Sequence, residues 1–284
     1  MTKAIPNLLV NGLPAGAIPT DDRGLRYGDG IFETIKVCEG APEFWRRHLR
    51  RLYLGAKSLK IEAPAEATLV KETTSLLRAS CDGVLRIRLT RGGGTASYRS
   101  KPNLRPTRIL ELDAFPGYPK NASTQGVRVR LLETRLGQNP ALAGIKHMNR
   151  LEQVLAAQEI TEPEIAEGLM LDREGYLIEG TRTNVFFVSN GSLVTPALTK
   201  AGVAGILREI VLEEARRLKH TIEIRPIRPA EAYCAQECFL TNSLIHLWPV
   251  QSIENRTYVI GAFTRELARS IKVRAFAERG LPSQ

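Results

Sequence analysis

Within Gly83 to Arg91 the chain alternates from Leu85 to Thr90: Leu85, Ile87 and Leu89 fall on one parity, Arg86, Arg88 and Thr90 on the other. A period of two is that of a β-strand with one apolar face, so this stretch demands a sheet. The same parity puts Arg91 on the apolar face, at the strand's end. There a guanidinium could grip a carboxylate through two nitrogens; the alternative is that the strand has already ended and Arg91 points to water. Beyond it, Gly92-Gly93-Gly94-Thr95-Ala96-Ser97-Tyr98 has the composition of a mobile loop.

The rest of the first half alternates strands and helices. Leu8-Leu9-Val10, Asn11-Gly12 and Leu13 read as a short hairpin with a type I′ turn. Asp22 to Gly30 is a glycine-rich loop leading into a strand from Ile31 to Val37. It is not a phosphate loop, because the Gly-Lys-Ser/Thr ending is absent and a strand follows. Leu49, Leu52, Tyr53, Ala56 and Leu59 recur at helical spacing, and a second helix follows Pro64 with Leu69, Thr73, Leu76 and Leu77 inward. Ile109 to Leu112 is another strand. The linker-like stretch from Phe115 to Gly126 marks a domain boundary, giving residues 1–117 and 118–284.

Length and composition narrow the class. With 284 residues, 43% hydrophobic and 25% charged, the chain is a globular protein able to bury a large core. No apolar run reaches membrane-spanning length, and the N-terminus lacks the apolar core of a secretory signal. Cys38, Cys81, Cys234 and Cys238 are too scattered for a disulfide framework. Cys234 and Cys238 could share a helix face, but four dispersed histidines offer no paired metal spacing, so no metal site is expected. Reduced thiols point to the cytoplasm. The net charge of +10 raises nucleic-acid binding, yet the densest cluster, Arg46-Arg47-His48-Leu49-Arg50-Arg51, is interleaved with a helical apolar stripe and reads as a solvated basic face. A small acidic substrate accounts better for part of the excess.

The second half carries the chemistry. A strand from Val127 to Leu132 precedes the turn signals Gly137-Gln138-Asn139-Pro140, and then comes Ala143-Gly144-Ile145-Lys146-His147-Met148-Asn149-Arg150-Leu151-Glu152. Leu151, Val154, Leu155 and Gln158 begin a helix, with Asn149 as N-cap and Glu152 as its reciprocal partner. Lys146 thus sits in a semi-buried segment. Lost hydration favours the neutral amine that forms a Schiff base; the plain alternative is a snorkelling lysine. Gly168 to Asp172 and Tyr176 to Gly180 form a hairpin, followed by a strand from Thr181 to Val188. Glu179 lies between apolar strands, where a carboxylate needs a partner unless it reaches water at the strand's end. Gly202-Val203-Ala204-Gly205 precedes a helix carrying Leu207, Val211, Ala215 and Leu218, whose N-terminus can present N–H groups to an anion. A final strand from Cys238 to Leu240 runs into Thr241-Asn242-Ser243.

A Schiff-base lysine, a carboxylate for a pyridine nitrogen and an anion-binding helix start are the parts of a pyridoxal-phosphate site. Their order resembles the class IV (fold-type IV) pyridoxal-phosphate enzymes, among them branched-chain aminotransferases, D-amino-acid transaminases and 4-amino-4-deoxychorismate lyases. The resemblance runs from Asp22 to about Val250. Three blocks are worded most like the lyases: Tyr27 to Thr34, Gly144 to Leu155, and Thr241-Asn242-Ser243 leading to Trp248-Pro249-Val250.

The resemblance implies an α/β (α+β) protein with a smaller N-terminal domain and a larger one around a strongly curved, mostly antiparallel sheet, assembled as a homodimer. It implies that Lys146 holds pyridoxal 5′-phosphate and that Glu179 pairs with the ring nitrogen. It assigns the phosphate to Arg51, to the backbone of Ile206 and Leu207, and to Ser243. Leu207 stands where many transaminases have threonine, and Asn242 matches the lyases. Thr34 is a possible substrate contact and Arg91 a carboxylate clamp. Ala96-Ser97-Tyr98 keeps the tyrosine of an Arg-Gly-Tyr element common in the lyases and lacks its arginine. The implied reaction converts 4-amino-4-deoxychorismate to 4-aminobenzoate and pyruvate, a step of folate synthesis, with transamination of D- or branched-chain amino acids as the alternative. Neither nucleic acid nor membrane is an expected partner.

Overall fold

The computed structural model describes residues 7–14, 16–78, 80, 82–94 and 97–281. The readings made above for the first six residues, for Cys81 and for loop residues 95 and 96 lie outside them. The chain divides into two compact units. One takes the chain up to Pro116, then Lys146–Asn149, then the stretch from Ala275 on; the other takes Gly117–Ile145 and Arg150–Arg274. The division therefore departs from a single cut near residue 117, because the lysine segment returns to the first unit.

The first unit opens with strands β1 (Leu8–Val10) and β2 (Leu13–Pro14). Asn11 (φ 51°) and Gly12 (φ 82°) both lie in the left-handed region, as a type I′ turn requires. The glycine-rich stretch, expected to be loop throughout, holds a short helix α1 (Arg23–Tyr27), capped by Asp22 accepting the Gly24 N–H and ended by Gly28 at φ 63°. Strand β3 (Gly30–Cys38), β4 (Ala41–Pro42), helices α2 (Trp45–Leu59) and α3 (Glu66–Leu77), and strands β5 (Gly83–Thr90) and β6 (Thr107–Asp113) follow. They build an antiparallel six-stranded sheet in the order β2-β1-β6-β5-β3-β4. Leu85, Ile87 and Leu89 are fully buried, as their alternation demands, and Leu49, Leu52 and Ala56 of α2 are buried with them. Each buried leucine or isoleucine contributes roughly 1.5–3 kcal/mol.

Strand β4 pairs only with the last two residues of β3. The opposite end of that edge is completed by the lysine segment: Phe32 N–H donates to the Lys146 carbonyl (3.1 Å) and Met148 N–H to the Gly30 carbonyl (2.9 Å). Gly30 permits this approach, since a Cβ there would meet Met148 Sδ at 2.6 Å and the Leu89 carbonyl at 2.7 Å.

The second unit begins with helix α4 (Ala122–Gln125), strand β7 (Val127–Leu136), helix α5 (Leu151–Gln158), and strands β8 (Ile165–Asp172) and β9 (Leu177–Gly180). Strands β10 (Asn184–Ser189) and β11 (Ser192–Pro196), helix α6 (Ile206–Arg217), strand β12 (Thr221–Arg225) and helix α7 (Pro229–Cys234) come next. Strands β13 (Glu237–Asn242), β14 (His246–Ile253) and β15 (Arg256–Thr257) and helix α8 (Ala262–Ala277) follow. The nine-stranded sheet runs β12-β11-β10-β13-β14-β7-β8-β9, with β15 on β14. Antiparallel pairs predominate; β11–β12, β14–β7 and β7–β8 are parallel. A bridge from Leu177 of β9 to Ile227, just past β12, joins the two ends, with the Leu177 N–H on the Ile227 carbonyl at 2.8 Å. The sheet is therefore curled around a core that includes Leu169, Leu171, Val185, Phe187, Leu240 and Trp248.

Three expectations need correction here. The strand from Cys238 to Leu240 is not the last, since β14 and β15 follow it. Cys234 ends α7 while Cys238 lies in β13, so the two share no helix face. Asn149 does not cap α5: Arg150 occupies the cap position without a side-chain bond, Asn149 Nδ2 donates to the Gly28 carbonyl, and Glu152 accepts the Gly137 N–H. Among the described residues, no helix is long and apolar enough to cross a membrane and no acidic, His or Cys cluster is placed to hold a metal.

Candidate active site

In the first unit, β3 sorts its side chains by parity. Ile31, Glu33, Ile35 and Val37 are buried, while Phe32 and Thr34 share the other face and are half-buried. Lys146 is half-buried, and its Nζ lies 4.2 Å from the centre of the Phe32 ring. A cation over an aromatic face is attracted to it. Thr34 is on the face that bears this ring.

On the buried side, Arg51 of α2 donates from Nε to Glu33 Oε1 (2.8 Å) and from Nη2 to Oε2 (2.5 Å). His48, one turn earlier, places Nδ1 2.6 Å from the same Oε2. Glu33 is 1% exposed and His48 0%. Burial works against the Glu33 charge, but the Arg51 ion pair and its hydrogen bonds, with His48 adding to them, hold the carboxyl down at about 2. Desolvation pushes His48 below its ordinary value despite the carboxylate beside it. A neutral ring facing an ionised carboxylate must carry its proton on Nδ1 and donate it. The basic cluster is thus a solvated face only in part: Arg46 and Arg50 are exposed, whereas His48 and Arg51 turn inward.

Arg91 does not fulfil its expected role. Strand β5 ends at Thr90, and Arg91 grips a carboxylate of the protein itself, with Nε to Asp29 Oδ2 at 2.8 Å and Nη2 to Oδ1 at 3.0 Å. It also donates to the carbonyls of Leu59 and Lys60. A guanidinium engaged on four oxygens is a structural tie, not a substrate clamp.

In the second unit, Glu179 lies on β9 and is 4% exposed. Its Oε2 accepts the Val203 N–H at 2.8 Å and faces Asn184 Nδ2 at 3.5 Å; that amide also donates to the Val203 carbonyl at 2.9 Å. Arg150 and Arg208, both half-buried, act on Glu179 electrostatically. Val203 belongs to the loop that leads into α6, and Gly144 is bound to the same loop through Gly202 and Ala204. Ile206 and Leu207 are buried in the first turn of α6, and its cap, Gly205, offers no side chain to the first N–H groups. A Cβ at Gly205 would overlap Asn184 Oδ1, so a larger residue there would displace the Asn184 side chain.

Opposite Asn184 in the β10–β13 ladder stands Thr241, whose buried Oγ1 finds no hydrogen-bond partner among the described residues. Asn242 and Ser243 follow it, half-buried. Asn242 Oδ1 accepts the N–H groups of Leu244 and Ile245 and so shapes the β13–β14 turn, leaving only Nδ2, which reaches the Arg182 carbonyl at 3.3 Å. Its side chain supports the loop in this structure more than it offers a cofactor contact.

Several residues around these positions escaped sequence reasoning. Asn184, Arg150 and Arg208 carry no local signal. Glu33 had one: a carboxylate on the inward parity of an apolar strand, the same oddity that drew attention to Glu179.

The chain matches the family model for amino-transferase class IV over residues 30–253. It is 35% identical to the aminodeoxychorismate lyase of Vibrio harveyi over 91% of this chain and 97% of that protein. It is 27% identical to the D-alanine aminotransferase of Bacillus licheniformis over 87% of this chain and 86% of that one. Among solved structures, the 4-amino-4-deoxychorismate lyase of Pseudomonas aeruginosa superposes with a TM-score of 0.90 at 41% identity, covering 94% of this chain and 98% of its own. Matched over most of its length, the chain belongs to the class IV aminotransferase family, whose enzymes depend on pyridoxal phosphate.

Proposed function

We propose that this chain is a pyridoxal-phosphate-dependent lyase converting 4-amino-4-deoxychorismate to 4-aminobenzoate and pyruvate. The observation that carries the reading is the likeness to lyases, 41% identical at a TM-score of 0.90 for the P. aeruginosa structure and 35% for the V. harveyi protein, against 30% for a putative branched-chain aminotransferase and 27% for a D-alanine aminotransferase. The residues fit the cofactor. A buried carboxylate at Glu179 suits a protonated ring nitrogen, and the uncapped first turn of α6 suits a phosphate. The orphaned Thr241 Oγ1 is a polar atom that such a ligand would satisfy.

When bound, the cofactor supplies an electron-accepting ring. Lys146 Nζ is its attachment point. The free Lys146 amine would be the general base that takes the proton from ring C4 of the substrate. Glu179 would keep a proton on the pyridine nitrogen. Arg51, the N–H groups of Ile206 and Leu207, and Ser243 are the groups that would hold the phosphate, and Thr34 would contact the substrate. Loss of the enolpyruvyl group from the neighbouring carbon leaves an aromatic ring, which drives the elimination. The protein would act as a cytoplasmic homodimer on this small acidic amine.

A lyase finishes each cycle with its cofactor as the aldehyde, whereas a transaminase needs a keto acid to regenerate it. The test supplies aminodeoxychorismate without keto acid and counts turnovers. Sustained, equal release of 4-aminobenzoate and pyruvate is the expected result. A single turnover, or brisk exchange between D-alanine or leucine and 2-oxoglutarate instead, would sink the reading.

A further inference from the structure

We propose that Glu33 and His48 are positioning residues that orient Arg51 for a phosphate group, an inference that rests on the cofactor role proposed above. Arg51 projects from α2, and a side chain that long loses much rotamer freedom when it is fixed in one geometry. Glu33 engages it along one edge, through Nε and Nη2 together, which fixes the plane of the guanidinium. The two-point pairing thereby sets the orientation of the whole guanidinium.

Glu33 is otherwise hard to explain. It stands in a row with Ile31, Ile35 and Val37, is 1% exposed, and burying a carboxylate there is costly even when paired. An apolar residue would pack the same strand face without that penalty. His48 completes the arrangement from the preceding turn of α2. It donates Nδ1–H to Glu33 Oε2 and, staying neutral, steadies the carboxylate without competing with Arg51 as a second cation. Its buried Nε2 has no hydrogen-bond partner among the described residues, so the ring is held for this contact. The result is a cation whose charge is balanced by Glu33 and whose geometry is set before any ligand arrives.

The test compares binding of pyridoxal 5′-phosphate with binding of pyridoxal, which lacks the phosphate, to the cofactor-free full chain. Glu33→Gln is expected to weaken pyridoxal-phosphate binding about tenfold and leave pyridoxal binding unchanged. Glu33→Gln combined with Arg51→Ala should bind no more weakly than Arg51→Ala alone. Equal loss for both ligands, or additive losses in the double variant, overturns the inference. If Arg51→Ala itself does not discriminate between the ligands, the cofactor role of Arg51 fails, and this inference with it. Should Glu33→Gln not fold, His48→Gln keeps the carboxylate–guanidinium pair and takes its place: a smaller loss confined to the phosphorylated ligand supports the inference, and no loss overturns it.

Discussion

Phe32 holds Lys146 twice. Its N–H donates to the lysine carbonyl at 3.1 Å, and its ring lies 4.2 Å below the lysine Nζ. The backbone bond sets where the lysine starts and the ring sets where its amine ends. Such a lysine is preorganised in a way that the exposed Lys200, paired with Glu174 at 2.7 Å, is not. Borohydride treatment of the loaded protein should therefore fix cofactor to Lys146 alone, and Lys146→Ala should abolish the label. Peptide mapping that finds the label on Lys200 or elsewhere contradicts the assignment.

Glu179 can be separated from the phosphate contacts. Glu179→Gln keeps the size of the side chain and the Val203 contact but removes the charge facing Arg150 and Arg208. Cofactor should still bind, while turnover falls by about two orders of magnitude. Stopped-assay rates at saturating cofactor decide this, and unaltered rates would make the carboxylate structural.

Arg91 ties Asp29 to the carbonyls of Leu59 and Lys60, which end α2. Arg91→Lys preserves charge but cannot reproduce the fork, so stability should fall by about 1–3 kcal/mol with the substrate KM unchanged. Denaturant midpoints and Michaelis plots measure the two separately. A raised KM at unchanged stability would return Arg91 to the substrate.

The Glu33–His48 pair gives the fold an acid limit. Glu33 titrates at about 2 in the folded chain against 4.5 ordinarily, so its contribution is complete above pH 4.5 and lost as the pH falls toward 2. The amount is on the order of 3 kcal/mol. His48, lowered from 6.5 by burial, adds a loss of the same sign that begins below pH 6.5. Stability measured from pH 7 to pH 3 should decline along this course, and in Glu33→Gln the part below pH 4.5 should flatten. An unchanged slope in that variant would show that other carboxylates set the limit.

How much of this was legible depended on the range of the interaction. Strand parity in β3 and β5, the type I′ turn and the stripe of α2 are local patterns, and the structure carries each of them. Arg91 was read by the same parity, but its destination is Asp29, 62 positions earlier, which alternation cannot reveal. Asn149 has the chemistry of an N-cap, yet the Gly28 carbonyl, 121 positions away, takes its amide. Strand β14 was hidden by Pro249, which donates nothing to a ladder and reads as a breaker; it is accommodated opposite Phe239, just before an irregularity at Val250. His48 and Arg51 looked like solvated charge because the carboxylate that draws them inward is on a different element.

The return of Lys146–Asn149 and of the stretch from Ala275 to the first unit sets the order in which the chain can fold. As synthesis passes Pro116, β3 is made but half of one edge has no neighbour, because the segment that pairs with Gly30 and Phe32 does not yet exist. The Phe44 N–H and the Arg47 side chain wait longer still, for Glu278, which Arg47 meets across 231 positions. The unit begun first is thus finished last. Until residues 146–149 are made, β3 presents an unpaired strand edge, the kind of surface on which nascent chains associate wrongly.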